Sequence, residues 1–322
     1  MKRIRVHAFG DPEVLKLEEM EDLRPDSQQV LIRVRAVGVN PYDTYARTGN
    51  YGARTPTLPF TPGSDAAGIV EAVGADVNDI APGDRVYTSG TLTGAYADLT
   101  LCKPSQVQPL PVQADFSQGA AVFVPYTTAY HSLFQIARGL PSESLLVHGA
   151  SGGVGLAAVQ FARAAGMTII GTAGSDEGLR LIRKQGAHHA ISHGAPNYAQ
   201  DILRATNGQG VDVILEMLAN VNLSQDLSML APRGRIVVIG SRGNINITPR
   251  DLMVRDASVT GMQLWNLSEM EFRKINRAIY AGLENGSLRP MINREIPLAD
   301  AAEAHRRVMA PGAHLGKIIL VP

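Results

Sequence analysis

The residues whose types and spacing most directly imply chemistry are His148-Gly149-Ala150-Ser151-Gly152-Gly153-Val154-Gly155. An apolar run, Leu145 to Val147, enters them and a helical run, Leu156 to Ala165, leaves them, so the stretch reads as strand, glycine turn and helix. A helix N-terminus carries unpaired backbone N–H groups and the positive end of the dipole, and glycines let a phosphate approach the backbone. The chemistry is diphosphate binding. Ala150, Gly152 and Gly155 fill the three places of the fingerprint G-x-G-x-x-G, with alanine in place of the first glycine. A turn that serves close packing alone has the same spelling, so the next strand decides. An NAD site sets a carboxylate about twenty residues further on, at the tip of that strand. Here the tip reads Gly171-Thr172-Ala173-Gly174-Ser175, and Asp176 and Glu177 follow only in the next helical turn, where they suit the helix dipole. A small neutral tip leaves room for a 2′-phosphate, with Arg180, Arg183, Lys184 and His193 in range to neutralise it, although Arg183 and Lys184 read first as a solvated face. NADPH is the expected cofactor.

The turn needs a sheet to hold it. Apolar strands at 144–148, 168–172, 189–192, 211–216, 234–239 and 258–262 alternate with helices near 152–165, 175–185, 197–206 and 223–230. That alternation gives an α/β fold with a doubly wound parallel sheet, whose ligands sit outside the carboxyl ends of the strands. Residues 1–118 instead read as short β segments punctuated by glycine and proline, with 30–37, 68–73 and 84–87 the clearest strands, which suggests a barrel-like or partly open β unit. Two helices, 268–285 and 298–309, and a strand, 317–321, end the chain, and the strand is expected to return to the first unit.

Bulk properties agree with two cores. The chain has 322 residues, 45% hydrophobic and 19% charged. Lys+Arg and Asp+Glu are 30 each, so no net field draws the protein to nucleic acid or an anionic membrane. No run of apolar residues is long enough to span a bilayer, the first residues lead into a strand pattern, and a cytoplasmic location is expected. The single cysteine, Cys102, excludes an internal disulfide and any multi-cysteine zinc site. His7, His131, His148, His188, His189, His305 and His314 have no metal-site spacing and read as structural or exposed.

The motifs together carry a family resemblance along the whole chain. Phe9 to Leu15, Gly38-Val39-Asn40-Pro41, Pro62 to Gly68, Pro82 to Val86, Val147 to Gly155, Gly171 to Gly174, Glu216 to Ser224 and Gly240 to Gly243 resemble the zinc-free medium-chain dehydrogenase/reductases, most closely the zeta-crystallin branch. The resemblance implies a GroES-like β-barrel catalytic domain, residues 1–118 and 265–322, and a Rossmann domain, residues 119–264, whose doubly wound sheet has the strand order 3-2-1-4-5-6. Zinc-dependent relatives hold their metal through cysteine, a Gly-His-Glu element and a further cysteine or aspartate; by that pattern Asn40, Ser64 with Asp65, and Val124 stand in those places here. No metal is expected, because asparagine, serine and valine are poor zinc donors. Without a Lewis acid, alcohol oxidation is disfavoured and reduction of an already electrophilic acceptor fits better.

The resemblance also distributes roles. Tyr45 and Thr128 are expected to contact the cofactor beside the reacting ring, with Asn40 and Tyr51 as polar groups that orient acceptor oxygens. Ser151, Gly152, Gly153 and Val154 are the diphosphate turn, and Gly174 and His193 the adenosine end. Asn222, then Ile239, Gly240, Ser241 and Arg242, then Met262, Gln263 and Leu264 match further cofactor-facing segments after the fourth, fifth and sixth strands. The implied activity is NADPH-dependent reduction of quinones, with alkene reduction in an enone or acyl thioester, or binding of AU-rich RNA, as the alternatives; neutral charge gives the RNA reading little support. The last sheet strand is expected to pair across a homodimer or homotetramer interface.

Overall fold

The computed structural model describes residues 1–310 and 315–322; His314 lies outside the described residues. In chain order the strands are β1 (Lys2–Val6), β2 (Leu15–Glu19), β3 (Val30–Val39), β4 (Asp65–Val73), β5 (Arg85–Thr88), β6 (Leu99–Cys102), β7 (Val107–Pro109), β8 (Ser144–Val147), β9 (Thr168–Ala173), β10 (His189–Ser192), β11 (Val211–Glu216), β12 (Leu230–Val238), β13 (Ser258–Gly261), β14 (Ile292–Pro297) and β15 (Lys317–Val321). The α-helices are α1 (Pro41–Thr48), α2 (Phe116–Gly119), α3 (Phe123–Tyr130), α4 (Gly153–Ala164), α5 (Asp176–Gln185), α6 (Tyr198–Ala205), α7 (Ala219–Met229), α8 (Pro249–Met253), α9 (Glu269–Asn285) and α10 (Ala301–Met309). By contacts the chain divides into two compact units, Met1–Val124 with Tyr280–Pro322, and Pro125–Ile279.

In the second unit six strands pair in the order β10-β9-β8-β11-β12-β13, all parallel. Numbered within the sheet this is 3-2-1-4-5-6, the order that the family resemblance implies, and β8 lies at the reversal of strand order. A parallel sheet covered on both faces needs near-continuous apolar strands. Leu145, Leu146, Val147, Ile169, Ile170, Val213, Ile214 and Leu215 are accordingly buried. Two boundaries differ from the sequence reading. β12 starts at Leu230, because a register shift against β11 between Val211 and Val213 absorbs the Pro232-Arg233-Gly234 break that reads as a turn. α7 starts at Ala219, ahead of the apolar period that begins at Leu223, because polar contacts described below fix its first turn.

In the first unit β3 is the centre, pairing antiparallel with β4, β6 and β15. The full path is β14-β15-β3-β4-β5-β7, with β6 beside β3 and a separate β1-β2 pair. The terminal strand thus joins the first unit, as expected from its apolar run. Its core gathers Ile4, Val6, Val34, Val37, Tyr96, Ala304, Ile318 and Leu320. Gly38 on β3 is required by close approach: an added Cβ would lie 2.1 Å from the Ala120 carbonyl oxygen and 2.8 Å from Lys317 Cε. Among the described residues no helix is long and apolar enough to cross a membrane.

Candidate active site

The parallel register sets the carboxyl ends of all six strands of the second unit along one edge. Every cofactor-facing segment expected in this unit after a strand begins there: the glycine turn after β8, Gly174 after β9, His193 after β10, Asn222 after β11, Ile239 to Arg242 after β12, and Met262 to Leu264 after β13. Topology therefore brings together residues more than a hundred positions apart. Thr128 sits instead within α3, 5% exposed.

The turn itself is built from backbone. Gly149 takes a left-handed φ of 57°, Ala150 N–H donates to the Thr172 carbonyl at 2.8 Å, and Gly152 caps α4. Ser151 is 7% exposed beneath it. At Gly155 an added Cβ would meet Gly149 O at 2.5 Å and Ala150 Cα at 2.6 Å, so only glycine lets the first turn of α4 pack on the strand exit. The first N–H groups of α4 have no intrahelical acceptor and remain for an anion. The β9 tip holds no carboxylate: an added Cβ at Gly174 would lie 2.8 Å from His193 Nε2, and Ser175 caps α5 by accepting from Gly178 N–H at 3.2 Å. Asp176 and Glu177 lie in the first turn of α5 and are exposed, as helix-dipole partners should be.

Beneath this edge lies a cluster that sequence spacing does not reveal. His148 at the end of β8, Glu216 at the end of β11 and Asp226 in α7 are all buried, with one donor atom from each within 4.8 Å of the others. His148 Nε2 is 2.8 Å from Asp226 Oδ1 and 3.4 Å from Glu216 Oε2. Glu216 Oε1 accepts from Leu218 N–H and, at 3.1 Å, from Asn222 Nδ2. Burial pushes the His148 imidazole below its ordinary value and lifts Glu216 and Asp226 each to about 7. The histidine and both carboxyls come from different elements, so only the strand order could have signalled the cluster.

The first unit contains a second buried polar group. Asn40 caps α1, with its N–H donating to Asp43 Oδ2 at 2.8 Å. The Asn40 amide is turned inward: Nδ2 donates to Asp65 Oδ2 at 3.0 Å and Oδ1 accepts from Lys317 Nζ. Lys317 also donates to Asp65 Oδ2 at 2.8 Å, and Asp65 Oδ1 accepts from Val124 N–H at 3.1 Å. Ser64 Oγ accepts from the Tyr42 hydroxyl at 2.5 Å, and the Tyr42 and Tyr51 rings lie 5.8 Å apart. Tyr45 and Tyr51 are half-buried on α1 and just after it. The places that hold zinc in metal-dependent relatives thus offer a carboxamide, a hydroxyl, an ammonium-paired carboxylate and an apolar side chain. This donor set does not fit zinc, and a lysine ammonium already neutralises its one carboxylate.

A glycine turn at the switch point of a 3-2-1-4-5-6 sheet, joined in one chain to a mainly antiparallel β unit that its own C-terminal strand completes, defines a two-unit dehydrogenase/reductase. Residues 153–279 match the zinc-binding dehydrogenase family and residues 26–112 the alcohol dehydrogenase GroES-like domain. A human quinone oxidoreductase is 48% identical over 100% of this chain and 98% of its own, and one from Pseudomonas aeruginosa is 36% identical over 100% and 99%. The solved structure of Escherichia coli quinone oxidoreductase complexed with NADPH has a TM-score of 0.91 and 30% identity, covering 100% of both chains. The chain belongs to the medium-chain dehydrogenase/reductases, in the branch that contains these quinone oxidoreductases. The GroES-like and Rossmann expectations hold.

Proposed function

We propose that this protein is an NADPH-dependent quinone oxidoreductase that reduces its acceptor without a metal. The observation that carries the reaction class is the end-to-end likeness, at 48% identity, to a quinone oxidoreductase. The neutral β9 tip beside His193 supports NADPH over NADH, because a carboxylate there would both clash with and repel a 2′-phosphate. In this reading the backbone of Ser151, Gly152, Gly153 and Val154 binds the diphosphate, and Gly174 and His193 bind the phosphorylated ribose. Asn222, Ile239, Gly240, Ser241, Arg242, Met262, Gln263 and Leu264 line the remaining cofactor path, with Tyr45 and Thr128 beside the nicotinamide. Bound there, NADPH supplies the reducing equivalents.

Residues of the chain then orient the acceptor. Tyr51 offers a hydroxyl to an acceptor oxygen, and Asn40, whose amide is committed to Asp65 and Lys317, acts by fixing the start of α1 and hence Tyr45. Residues 1–118 with 265–322 are taken as the catalytic domain and 119–264 as the cofactor domain. We further propose a homodimer or homotetramer in the cytoplasm, formed where β13, paired on one side only with β12, leaves an open sheet edge. Steady-state NADPH oxidation with a panel of ortho- and para-quinones, enones and acyl thioesters tests the reaction. Turnover with quinones is expected, and its absence in protein that binds NADPH contradicts the proposal.

A further inference from the structure

The His148–Glu216–Asp226 cluster has no task in the chemistry above, yet it is the most completely buried charged group of the second unit. Glu216 and Asp226 are both 0% exposed, and among the described residues no lysine or arginine is paired with either. Two bare carboxylates so placed would repel each other in a medium that cannot solvate them. Their hydrogen bonds carry a specific vacancy. Glu216 Oε1 accepts from Leu218 N–H and Asn222, and Asp226 Oδ1 faces His148 Nε2, but among the described residues neither Glu216 Oε2, 3.4 Å from His148 Nε2, nor Asp226 Oδ2 has a hydrogen-bond partner. One proton between those two oxygens satisfies both, and a neutral His148 then donates its Nε2–H to Asp226.

We propose that Glu216 is a positioning residue that shares one proton with Asp226, and that this proton sets the orientation in which Asn222 meets the cofactor. The coupling to NADPH rests on the reading of Asn222 as a cofactor-facing residue. The mechanical link is local. Glu216 holds Leu218 N–H and the Asn222 amide nitrogen, which leaves the Asn222 amide oxygen as the acceptor on its other side. Its backbone carbonyl accepts from Ile239 N–H at 2.8 Å, and Ala219 N–H donates to Gly240 O at 2.9 Å. The carboxyl group therefore sits where the segments after β11 and β12 are joined. With the proton present the pair attracts; with it gone, two adjacent anions repel and the first turn of α7 loosens.

Burial, the first cause in each, lifts both carboxyls to about 7, so the pair titrates together in the neutral range. The other titratable groups acting on the cluster are His193 after β10, which interacts with His148, and Tyr198 at the start of α6, which interacts with Asp226 and Glu216. His193 is itself a proposed 2′-phosphate ligand, so its titration must be separated from that of the pair.

The test compares the wild type with Glu216→Gln, whose amide copies the protonated carboxyl: its oxygen still accepts from Leu218 and Asn222 while its nitrogen donates to Asp226. Two readouts are needed. In infrared difference spectra between pH 6 and pH 8.5, the wild type is expected to show loss of a protonated-carboxyl stretch that Glu216→Gln lacks. In fluorescence titrations with NADPH, the wild-type Kd is expected to rise about tenfold by one pH unit above the apparent pKa, over and above the rise in Glu216→Gln, since about one molecule in eleven keeps the proton there. His193 contributes equally to both proteins, so the difference belongs to the pair. No protonated-carboxyl band at pH 6, or the same band in Glu216→Gln, overturns the shared proton. Parallel pH curves for NADPH overturn the coupling. Asn222→Ala distinguishes the underlying reading: if it leaves NADPH affinity unchanged while the infrared result stands, the placement of Asn222 fails and the shared proton does not. Should Glu216→Gln not fold, Asp226→Asn carries the same infrared test from the other side of the pair.

Discussion

Removing the buried ammonium of Lys317 should cost the first unit far more than loss of an ordinary surface lysine. Lys317 is 5% exposed and Asp65 1%, and the ammonium bonds both Asp65 and Asn40. Methionine at 317 keeps the length of the side chain but leaves Asp65 anionic in the interior, with only the Asn40 amide and Val124 N–H as donors. Breaking a buried pair by removing one partner costs about 3–5 kcal/mol, because the remaining charge is uncompensated. Lys317→Met should therefore lower stability by roughly that amount, whereas Asp65→Asn added to it should recover at least about 2 kcal/mol by removing the stranded charge. Two compact units need not unfold together, so the assay is urea unfolding by circular dichroism, with hydrogen exchange of the β3 and β15 amides reporting the first unit. A loss under about 1 kcal/mol for Lys317→Met, or no recovery in the double variant, would refute the charge argument.

Other outcomes follow from the same geometry. Gly155→Ala forces backbone atoms apart at contacts of 2.5 and 2.6 Å, and should cost about 1–3 kcal/mol in overpacking and weaken NADPH binding more than tenfold, read by thermal melting and fluorescence titration. Gly174→Asp puts a carboxylate at the β9 tip and should reverse the preference from NADPH to NADH, measured as the ratio of the two kcat/KM values. Asp43→Asn should make the first unit more sensitive to acid. Burial pushes His305 down to about 3, so protonation of the unfolded chain below about 6.5 erodes stability by about 1.4 kcal/mol per pH unit; burial lifts Asp43 to about 7, which offsets this loss between about 4 and 6.5 because the folded state then holds the extra proton. Without Asp43 the offset disappears, and stability curves from pH 7 to pH 4.5 should fall more steeply than those of the wild type.

What the sequence made legible was whatever local pattern dictates. The strand–turn–helix around Gly152, the neutral tip at Gly174 and the alternation that makes the sheet parallel all follow from runs of a few residues, whereas the order of the six strands is legible only through the family resemblance. The start of α7 was misplaced because Ala219 to Asn222 have no apolar period, and tertiary contacts from Glu216 and Gly240 fix them. Lys317 read only as the first residue of an apolar strand, since nothing local says that its ammonium meets Asn40 and Asp65 more than 250 positions earlier. His148 read as structural or exposed for the same reason. Its partners come from another strand and a helix, so the cluster exists only once β8 and β11 are neighbours.

The central claim, reduction of a quinone by NADPH without a metal, is tested most directly by a single-turnover measurement. Protein dialysed against a strong chelator and shown to be metal-free is mixed with NADPH and a simple para-quinone, and oxidation of the nicotinamide is followed with and without added zinc. The same rate is expected in both, equal to that of untreated protein. A rate lost on chelation and restored by zinc would contradict the claim.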